Sequence, residues 1–236
     1  MGAVYDEYAS AYDQWFMNNE NLFVSEAKMV AKALEGCGRT LSIGCGSGLF
    51  ESYLKRECGI VVTDGVEPSE AMAAIARKRG MTVTICTAED YVAPEPYETV
   101  MFNGCPSYIA DLGKAFRNAY ASLVPGGRIA VMDVPKESGY ALIYNLAMSL
   151  GTWDHPLLEG IKPPDPYPIE FVKSAHWRTR AEVLGCLKDA GFVNPHAYQT
   201  LLRYPCRSND SVEEPIEGCD RGSYVAIVAE KPSDAK

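Results

Sequence analysis

Three short segments, each following a β-prone run, carry residue types that could bind a nucleoside. The first is IGCGSG at 43–48, whose glycines let the backbone turn sharply and let a ligand approach the main chain. Glu67 ends the second run, where an acid can accept the hydroxyl groups of a ribose. The segment TAED at 87–90 ends the third run, and its Glu89 can accept a hydrogen bond from an exocyclic amine. Together the three segments predict the polar contacts of an adenosine.

The glycine spacing discriminates between classes of nucleotide ligand. A dinucleotide-binding loop reads G-x-G-x-x-G, whereas here the third glycine comes one residue early, at Gly48, and Leu49 follows. The loop also lacks the lysine of a P-loop, so a pyrophosphate is not the favoured ligand. The structural alternatives are a tight turn that binds nothing and a solvated Glu67 that caps the next helix.

Strand-like and helix-like segments alternate along the chain and would position these residues. β-prone runs at 39–43, 60–63, 82–86, 99–102 and 128–132 alternate with helix-like stretches at 49–58, 69–79 and 111–123. This alternation is typical of βαβ units and predicts an α/β, doubly wound sheet covered on both faces. A helix at 179–190 and strands at 198–203 and 223–229 follow.

Residues 134–178 interrupt the alternation as an insert after the fifth strand. An apolar, helix-like piece at 140–150 precedes a run at 162–168 with four prolines in seven residues, which excludes a helix or a central strand there. We expect this insert to form a wall or lid for an acceptor, with Tyr140, Tyr144 and Trp153 as substrate contacts. The whole chain, 1–236, is interpreted as one domain with an N-terminal helical cap at 1–30.

Histidines and cysteines are the other candidates for chemistry. His155 lies in the insert beside Asp154 and is the candidate catalytic base, whereas His176 and His196 are interpreted as structural. The eight cysteines form no CxxC pair, and no ligand set at useful spacing predicts a metal site. We interpret them as reduced thiols, most of them small buried hydrophobic side chains.

Composition excludes several classes of partner. The formal net charge of −9 disfavours a binder of nucleic acid or of an anionic membrane surface, because both depend on Lys and Arg. The N-terminal segment has no basic and apolar pattern of a signal peptide, and the longest apolar stretch is too short for a membrane span. The sequence therefore predicts a cytoplasmic protein without stable membrane insertion.

Taken in order, these segments resemble the class I S-adenosylmethionine (SAM)-dependent methyltransferases, and most of all their small-molecule, ubiquinone/menaquinone-type group. The likeness is close over about residues 5–133 and looser from there to the end. The matching segments are YDEYA (5–9) with YD (12–13), IGCGSG (43–48), VEPSEAM (66–72), AED (88–90), LVPGGR (123–128), and HWRT (176–179) with Leu187 and AGF (190–192).

The resemblance implies a fold and a set of cofactor contacts. The implied sheet has seven strands in the order 3-2-1-4-5-7-6, with strand 7 antiparallel. The glycine loop would hold the methionine end of SAM, Glu67 the ribose, residues 88 and 89 the adenine edge, and Asn103 the sulfonium region. The implied contacts are Tyr12, Gly44, Cys45, Gly46, Gly48, Glu67, Pro68, Met72, Ala88, Glu89 and Asn103. One departure is Ser42, because the family usually has an aspartate there that helps orient the cofactor's amine.

The implied activity is transfer of a methyl group from SAM to a small-molecule acceptor by in-line displacement, with S-adenosylhomocysteine (SAH) as the product. A SAM-binding protein without catalysis is one alternative. A nicotinamide-dependent oxidoreductase is another, although the glycine spacing and Glu89 disfavour it. The motifs specify neither the acceptor, nor the methylated element, nor the oligomeric state.

Overall fold

The computed structural model describes residues 2–233, with the side chains of residue 9 and residues 11–233. The motif at 5–8 and the tail at 234–236 therefore lie outside the described side chains. The sheet order is β3-β2-β1-β4-β5-β8-β6-β7. The strands are β1 Thr40–Ile43, β2 Asp64–Val66, β3 Thr82–Thr84, β4 Tyr97–Asn103, β5 Leu123–Asp133, β6 Val193–Thr200, β7 Ile216–Glu217 and β8 Tyr224–Glu230.

The observed order confirms the predicted order 3-2-1-4-5-7-6, with β8 as the predicted strand 7. Strand β8 runs antiparallel to β5 and to β6. The eighth strand is the two-residue β7, which pairs with β6 at the edge and was not expected. The register aligns Ile43 with Val66 in β2 and with Phe102 in β4, so the segments that follow these strands meet at one edge of the sheet.

Helices cover both faces of the sheet. They are α1 Gly2–Asn18, α2 Glu20–Ala33, α3 Leu49–Tyr53, α4 Glu70–Lys78, α5 Leu112–Ala121, α6 Gly139–Leu150, α7 Ile169–Ser174 and α8 Arg180–Asp189. Side-chain caps fix three of the predicted starts, since Ser69, Asp111 and Thr179 each accept a hydrogen bond from a first-turn backbone N–H. The predicted helix at 49–58 is α3 followed by a π-helical turn at Leu54–Cys58.

Alternating side chains of the central strands pack into two hydrophobic cores, one on each face of the sheet. Met101 and Met132 pack with α1, α2, α6 and α7 on one face, whereas Phe102 and Val131 pack with α5 and α8 on the other. The strands are therefore apolar on both sides, as expected for a buried sheet. The face covered by α1, α2, α6 and α7 also carries the larger set of aromatic side chains.

The bounds of three strands differ from the expectation. The second strand, expected to start at 60–63, spans Asp64–Val66, because the ladder with β1 begins at Asp64. Strand β5 begins at Leu123 rather than at 128. The sixth strand spans Val193–Thr200 rather than 198–203, because Leu201 adopts a φ of 54° and ends the extended run. These shifts leave the carboxyl ends of β1, β2 and β4 aligned, and the site depends on those ends.

Candidate functional site

The three glycines of the loop after β1 have different neighbours. All adopt positive φ, which favours glycine: 65° at Gly44, 54° at Gly46 and 73° at Gly48. A Cβ at Gly44 would lie 2.6 Å from the Cβ of Cys105, and one at Gly48 would lie 2.8 Å from the Sδ of Met81. A Cβ at Gly46 would meet nothing within 4 Å. Gly46 thus presents bare backbone to open space, while the other two glycines allow close packing.

That open space is a pocket of about 270 Å³ at the carboxyl ends of the parallel strands. Nine of the predicted cofactor residues line it: Tyr12, Gly44, Gly46, Glu67, Pro68, Met72, Ala88, Glu89 and Asn103. Cys45 and Gly48 do not line it. The side chain of Cys45 is instead buried in a small cluster with Ala73 and Val83. We call this space the cofactor pocket.

Glu67 is buried at the rim of the cofactor pocket, with 6% of its surface exposed. One carboxylate oxygen accepts from the backbone N–H of Gly46 at 2.9 Å, and the other accepts from Ser69 at 2.9 Å. The residue therefore braces the glycine loop against the start of α4. Since it also lines the pocket, Glu67 can both fix the loop and face a ligand.

The segment after β3 reaches the pocket from the opposite side. Ala88 and Glu89 line the pocket, and Asn118 of α5 donates to the backbone carbonyl of Glu89 at 2.8 Å. The Glu89 carboxylate accepts from the backbone N–H of Ala110 at 3.0 Å and of Asp111 at 3.3 Å. These contacts hold the predicted adenine-reading segment in place through side chain and main chain alike.

Ser42 has a buried acid as its partner. Its hydroxyl donates to Glu51 of α3 at 2.7 Å, and Glu51 is 4% exposed. Burial raises the pKa of Glu51, although the Ser42 hydrogen bond opposes that rise. A carboxylate thus lies directly against the position where the family usually has an aspartate, but it comes from a helix rather than from the strand.

Helix α1 is attached to the glycine loop. Asp13 accepts from the Ser47 hydroxyl at 2.5 Å and pairs with Arg79 at 2.7 Å. Arg79 also donates to the Ser47 carbonyl at 2.8 Å. These bonds place the neighbouring Tyr12 over the cofactor pocket. The N-terminal helix therefore covers the pocket through specific polar contacts as well as apolar packing.

A second, smaller cavity of about 50 Å³ adjoins the cofactor pocket. The two spaces share Tyr12, Asn103, Gly104 and Tyr108, which form the neck between them. Its other lining residues are mostly aromatic or acidic: Trp15, Phe16, Glu26, Phe50, Asp133, Val134, Tyr144, Tyr167, Trp177 and Tyr224. We call this space the aromatic pocket.

Aromatic contacts hold the walls of this pocket rigid. Tyr144 stacks on Trp177 with ring centroids 5.1 Å apart, and Trp15 packs edge-on against Tyr167 at 4.8 Å. At the neck, the Tyr224 hydroxyl donates to Asn103 Oδ1 at 2.8 Å. The walls therefore come from α1, α6, β8 and the segment between α6 and α8.

Two carboxylates line the aromatic pocket. Glu26 of α2 is 8% exposed, and burial together with the nearby Asp133 raises its pKa to about 8. Burial raises the pKa of Asp133 to about 6, even though its carboxylate accepts from the Ser107 hydroxyl at 2.6 Å and from the Val134 N–H at 2.8 Å. The pocket thus combines aromatic faces with two desolvated acids.

The predicted substrate residues divide between the wall and its support. Tyr144 lines the aromatic pocket, whereas Tyr140 and Trp153 do not. Tyr140 packs behind Tyr144 and shares a hydrogen bond with Ser208, and Trp153 contacts Tyr144 and donates to the Tyr167 carbonyl at 2.8 Å. Both residues therefore reach the pocket only through the wall they support.

His155 caps a turn and lines neither pocket. Its Nδ1 accepts from the Leu157 N–H at 3.2 Å, at the start of the 3₁₀ turn Pro156–Leu158. The geometry gives no support to the predicted role of His155 as a base, which stays a prediction. Among the described residues, no group of three His, Cys, Asp or Glu side chains is placed to hold a metal ion.

Sequence reasoning missed Glu26, Asp133 and Tyr108 as pocket residues. A signal existed for two of them. Asp133 ends β5 as Glu67 follows β2, so the strand-end rule could have included it. Glu26 lies on the buried face of α2 with Leu22 and Val30, where an acid is out of place. Tyr108 carries no such signal, because the turn after β4 alone brings it to the pocket.

The comparisons with known proteins agree with this architecture. A family model described as a methyltransferase domain matches residues 18–197. An uncharacterised protein of Methanocaldococcus jannaschii is 30% identical over 231 residues, covering 97% of this chain and 98% of that protein. Malonyl-[acyl-carrier protein] O-methyltransferase 1 of Ilyobacter polytropus is 25% identical over 174 residues, covering 72% of this chain and 58% of that enzyme.

Solved structures extend the likeness to the whole chain. A SAM-dependent methyltransferase of Thermotoga maritima, described as a possible histamine N-methyltransferase, aligns with a TM-score of 0.82 at 29% identity, over 98% of this chain and 100% of that one. The DhpI–SAH complex aligns with a TM-score of 0.61 at 14% identity, over 99% of this chain and 95% of that chain. At this identity the likeness shows the fold alone. The chain belongs to the class I SAM-dependent methyltransferases.

One further observation concerns membranes. Within residues 2–233, no helix has both the length and the apolar character needed to cross a bilayer.

Proposed function

We propose that the protein transfers the methyl group of SAM to a small-molecule acceptor that enters the aromatic pocket. The observation that carries the proposal is the pair of adjoining pockets. They share Tyr12, Asn103, Gly104 and Tyr108, so a ligand in each would meet at this neck. Open α/β sheets bind their ligands at the carboxyl ends of the strands, where both pockets lie.

The residues of the cofactor pocket fit SAM. Gly46 offers bare backbone on its open side, and Glu67 offers a buried carboxylate at the rim. Ala88 and Glu89 line the far end, and Asn103 lies at the neck. SAM, when bound, supplies a methyl group that is already activated on a sulfonium. The protein therefore has to bind, orient and exclude water rather than generate a reactive group.

Positioning is the main task that this proposal gives to the chain. Tyr12 and Tyr108 narrow the neck, and the Tyr224–Asn103 hydrogen bond fixes the Asn103 side chain. Holding two reactants in a near-attack geometry can supply roughly 7–11 kcal/mol of the barrier. The buried aromatic walls exclude water from the acceptor, which favours a reaction whose charge is dispersed as it proceeds.

The segment 134–178 would act as the acceptor wall. Four of its residues support that role because they line the aromatic pocket: Val134, Tyr144, Tyr167 and Trp177. The size of the cavity, about 50 Å³, is compatible with a small acceptor. The net charge of −9 also disfavours a nucleic-acid substrate.

Calorimetric titration with SAH, NAD and ATP tests the proposal. We expect SAH to bind and the other two ligands to bind far more weakly, since the loop matches neither a dinucleotide site nor a P-loop. NAD binding in preference to SAH would favour an oxidoreductase. Release of SAH from SAM in the presence of acceptors then separates an enzyme from a SAM-binding protein without turnover. Failure of SAH to bind at millimolar concentration would overturn the proposal.

A further inference from the structure

Glu26 has a position in the aromatic pocket that the methyl-transfer proposal does not explain. The side chain is more than nine-tenths buried and lines the pocket. Among the described residues it forms no hydrogen bond or ion pair, whereas its neighbour Asp133 accepts from Ser107 and Val134. A buried carboxylate without a partner is costly, so a positively charged or hydrogen-bond-donating ligand would relieve that cost.

The charges around the pocket have one sign. Its described lining contains Glu26 and Asp133 and no Lys, Arg or His. Arg178 acts on Asp133 from outside, and its guanidinium is engaged by the carbonyls of Pro106 and Ile109 at 2.6 Å each. The titratable groups that face Glu26 are Asp133 from β5, Tyr12 from α1, Tyr140 and Tyr144 from α6, and Tyr224 from β8. None of these groups is a cation.

The rest of the lining suits an organic cation better than a metal ion. Tyr12, Trp15, Tyr144 and Trp177 bring aromatic rings to the cavity, and the faces of such rings attract ammonium groups. Ca²⁺ or Mg²⁺ would need six or more oxygen ligands, which two carboxylates and phenols do not supply. An ammonium group needs only an anion and aromatic faces.

We infer that the acceptor is a small organic amine that binds as its ammonium ion with Glu26 as its counter-ion. Asp133, close to the neck, would take one ammonium proton, so that the nitrogen lone pair can accept the methyl group while the methyl–sulfur bond breaks and SAH leaves. This inference rests on the proposed function, since it names the substrate class of the same site. Asp133 follows Met132, whose carbonyl accepts from the N–H of the neck residue Gly104 at 2.9 Å. Asp133 therefore lies next in the chain to a residue that is bonded to the neck.

The inference has a proton signature. Burial and the nearby Asp133 raise the pKa of Glu26 to about 8, so Glu26 is mostly protonated at neutral pH. An ammonium ion favours the carboxylate form, so its binding at about pH 7 should release a proton from Glu26. A neutral ligand of the same shape should release none. Proton release therefore distinguishes recognition of charge from recognition of shape.

The experiment is calorimetry on the full chain saturated with SAH, using benzylamine, benzyl alcohol and benzoate as matched probes. We expect benzylamine to bind about tenfold or more tightly than either other probe. Titrations in two buffers of different ionisation enthalpy should show proton release with benzylamine only. Glu26→Gln should weaken benzylamine by about tenfold to a hundredfold, abolish proton release, and leave benzyl alcohol unchanged.

Two controls keep the result interpretable. Glu20→Gln removes an exposed charge from the same helix and should behave as wild type. SAH affinity, measured first on every variant, reports whether the proposed function and the fold are intact. If SAH binds but benzylamine does not, or binds no better than benzyl alcohol, the inference is overturned while the proposed function stands. Unchanged benzylamine binding by Glu26→Gln overturns it as well.

Discussion

The two pockets of this protein are built in different ways. The cofactor pocket is formed largely by segments that directly follow β1, β2, β3 and β4, so sheet register sets the positions of most of its lining residues. The aromatic pocket is formed by side chains from α1, α2, β5, α6 and β8, which are far apart in the sequence. The first depends on local turns, and the second depends on tertiary packing.

The difference has a consequence for ligand recognition. A backbone cradle tolerates changes in its side chains, because main-chain N–H groups and glycine conformation do the binding. A side-chain pocket changes its preference whenever one wall residue changes, while the fold stays the same. A chain of this kind can keep one cofactor while its acceptor specificity diverges.

The largest expected effect tests the backbone cradle. Gly46→Val places a branched side chain in the open space of the cofactor pocket, and we expect SAH binding to fall below detection by calorimetry. Gly59→Val is the matched control, because Gly59 has a similar φ of 69° and open surroundings but lines neither pocket. Both variants carry the same backbone strain. Equal SAH affinity in the two variants would show that Gly46 does not meet the ligand.

The next effect concerns the acid of the aromatic pocket and its cost to folding. Glu26 has a pKa near 8 in the folded state and about 4.3 when unfolded, so the folded state binds more protons between these values. Stability must then fall as the pH rises from about 4 to 8. Glu26→Gln cannot ionise, so it does not lose stability in this way as the pH rises. At about pH 8 we expect its free energy of unfolding to exceed that of wild type by on the order of 2–4 kcal/mol.

Urea denaturation at about pH 5 and pH 8 measures this difference. The stability gap between Glu26→Gln and wild type should be small at the lower pH and large at the higher pH. Glu20→Gln, which changes the same charge at an exposed site on α2, should track wild type at both. A gap that does not widen with pH would contradict the raised pKa of Glu26.

The smallest effect concerns Glu67, which belongs to the cofactor pocket yet acts through its side chain. We expect Glu67→Ala to weaken SAH binding by about 1–3 kcal/mol, because a ligand hydroxyl loses a charged acceptor. The hydrogen bonds to the backbone of Gly46 and Ser69 predict a loss of stability as well, of about 1–2 kcal/mol.

Glu70→Ala, at an exposed acid three residues along, is the control for charge and helix propensity. Calorimetry and thermal unfolding on both variants separate the two roles of Glu67. Lower stability with unchanged SAH affinity would mean that the Glu67 carboxylate only braces the loop.

Nine of the eleven cofactor contacts expected from the sequence line one pocket, and there is a physical reason for this. Glycines at 44 and 46, an acid after the second strand and an acid after the third are local signals, and parallel register brings them together without further information. The register also explains why small errors in strand bounds did no harm, since the ends of β1, β2 and β4 stay aligned.

The acceptor side was predicted less well because its residues have no common local pattern. Tyr144 was found because it lies on an apolar helix in the insert, but Tyr140 and Trp153 from the same segment lie behind the wall. Glu26 lies on a helix expected only to cap the fold. His155 was predicted as a base from its residue type, whereas its side chain accepts a hydrogen bond from the backbone of a turn. In each case the direction of the side chain, and not its residue type, determines whether the residue lines the aromatic pocket.

Helix α1 contributes residues to both pockets. Tyr12 lines both pockets, Trp15 and Phe16 line the aromatic one, and Asp13 ties the same helix to Ser47 and Arg79 of the cofactor side. A displacement of α1 would therefore uncover both spaces in one motion. Ligand entry and exit at both pockets would then require the same motion, which the partly exposed ion pair between Asp13 and Arg79 would oppose.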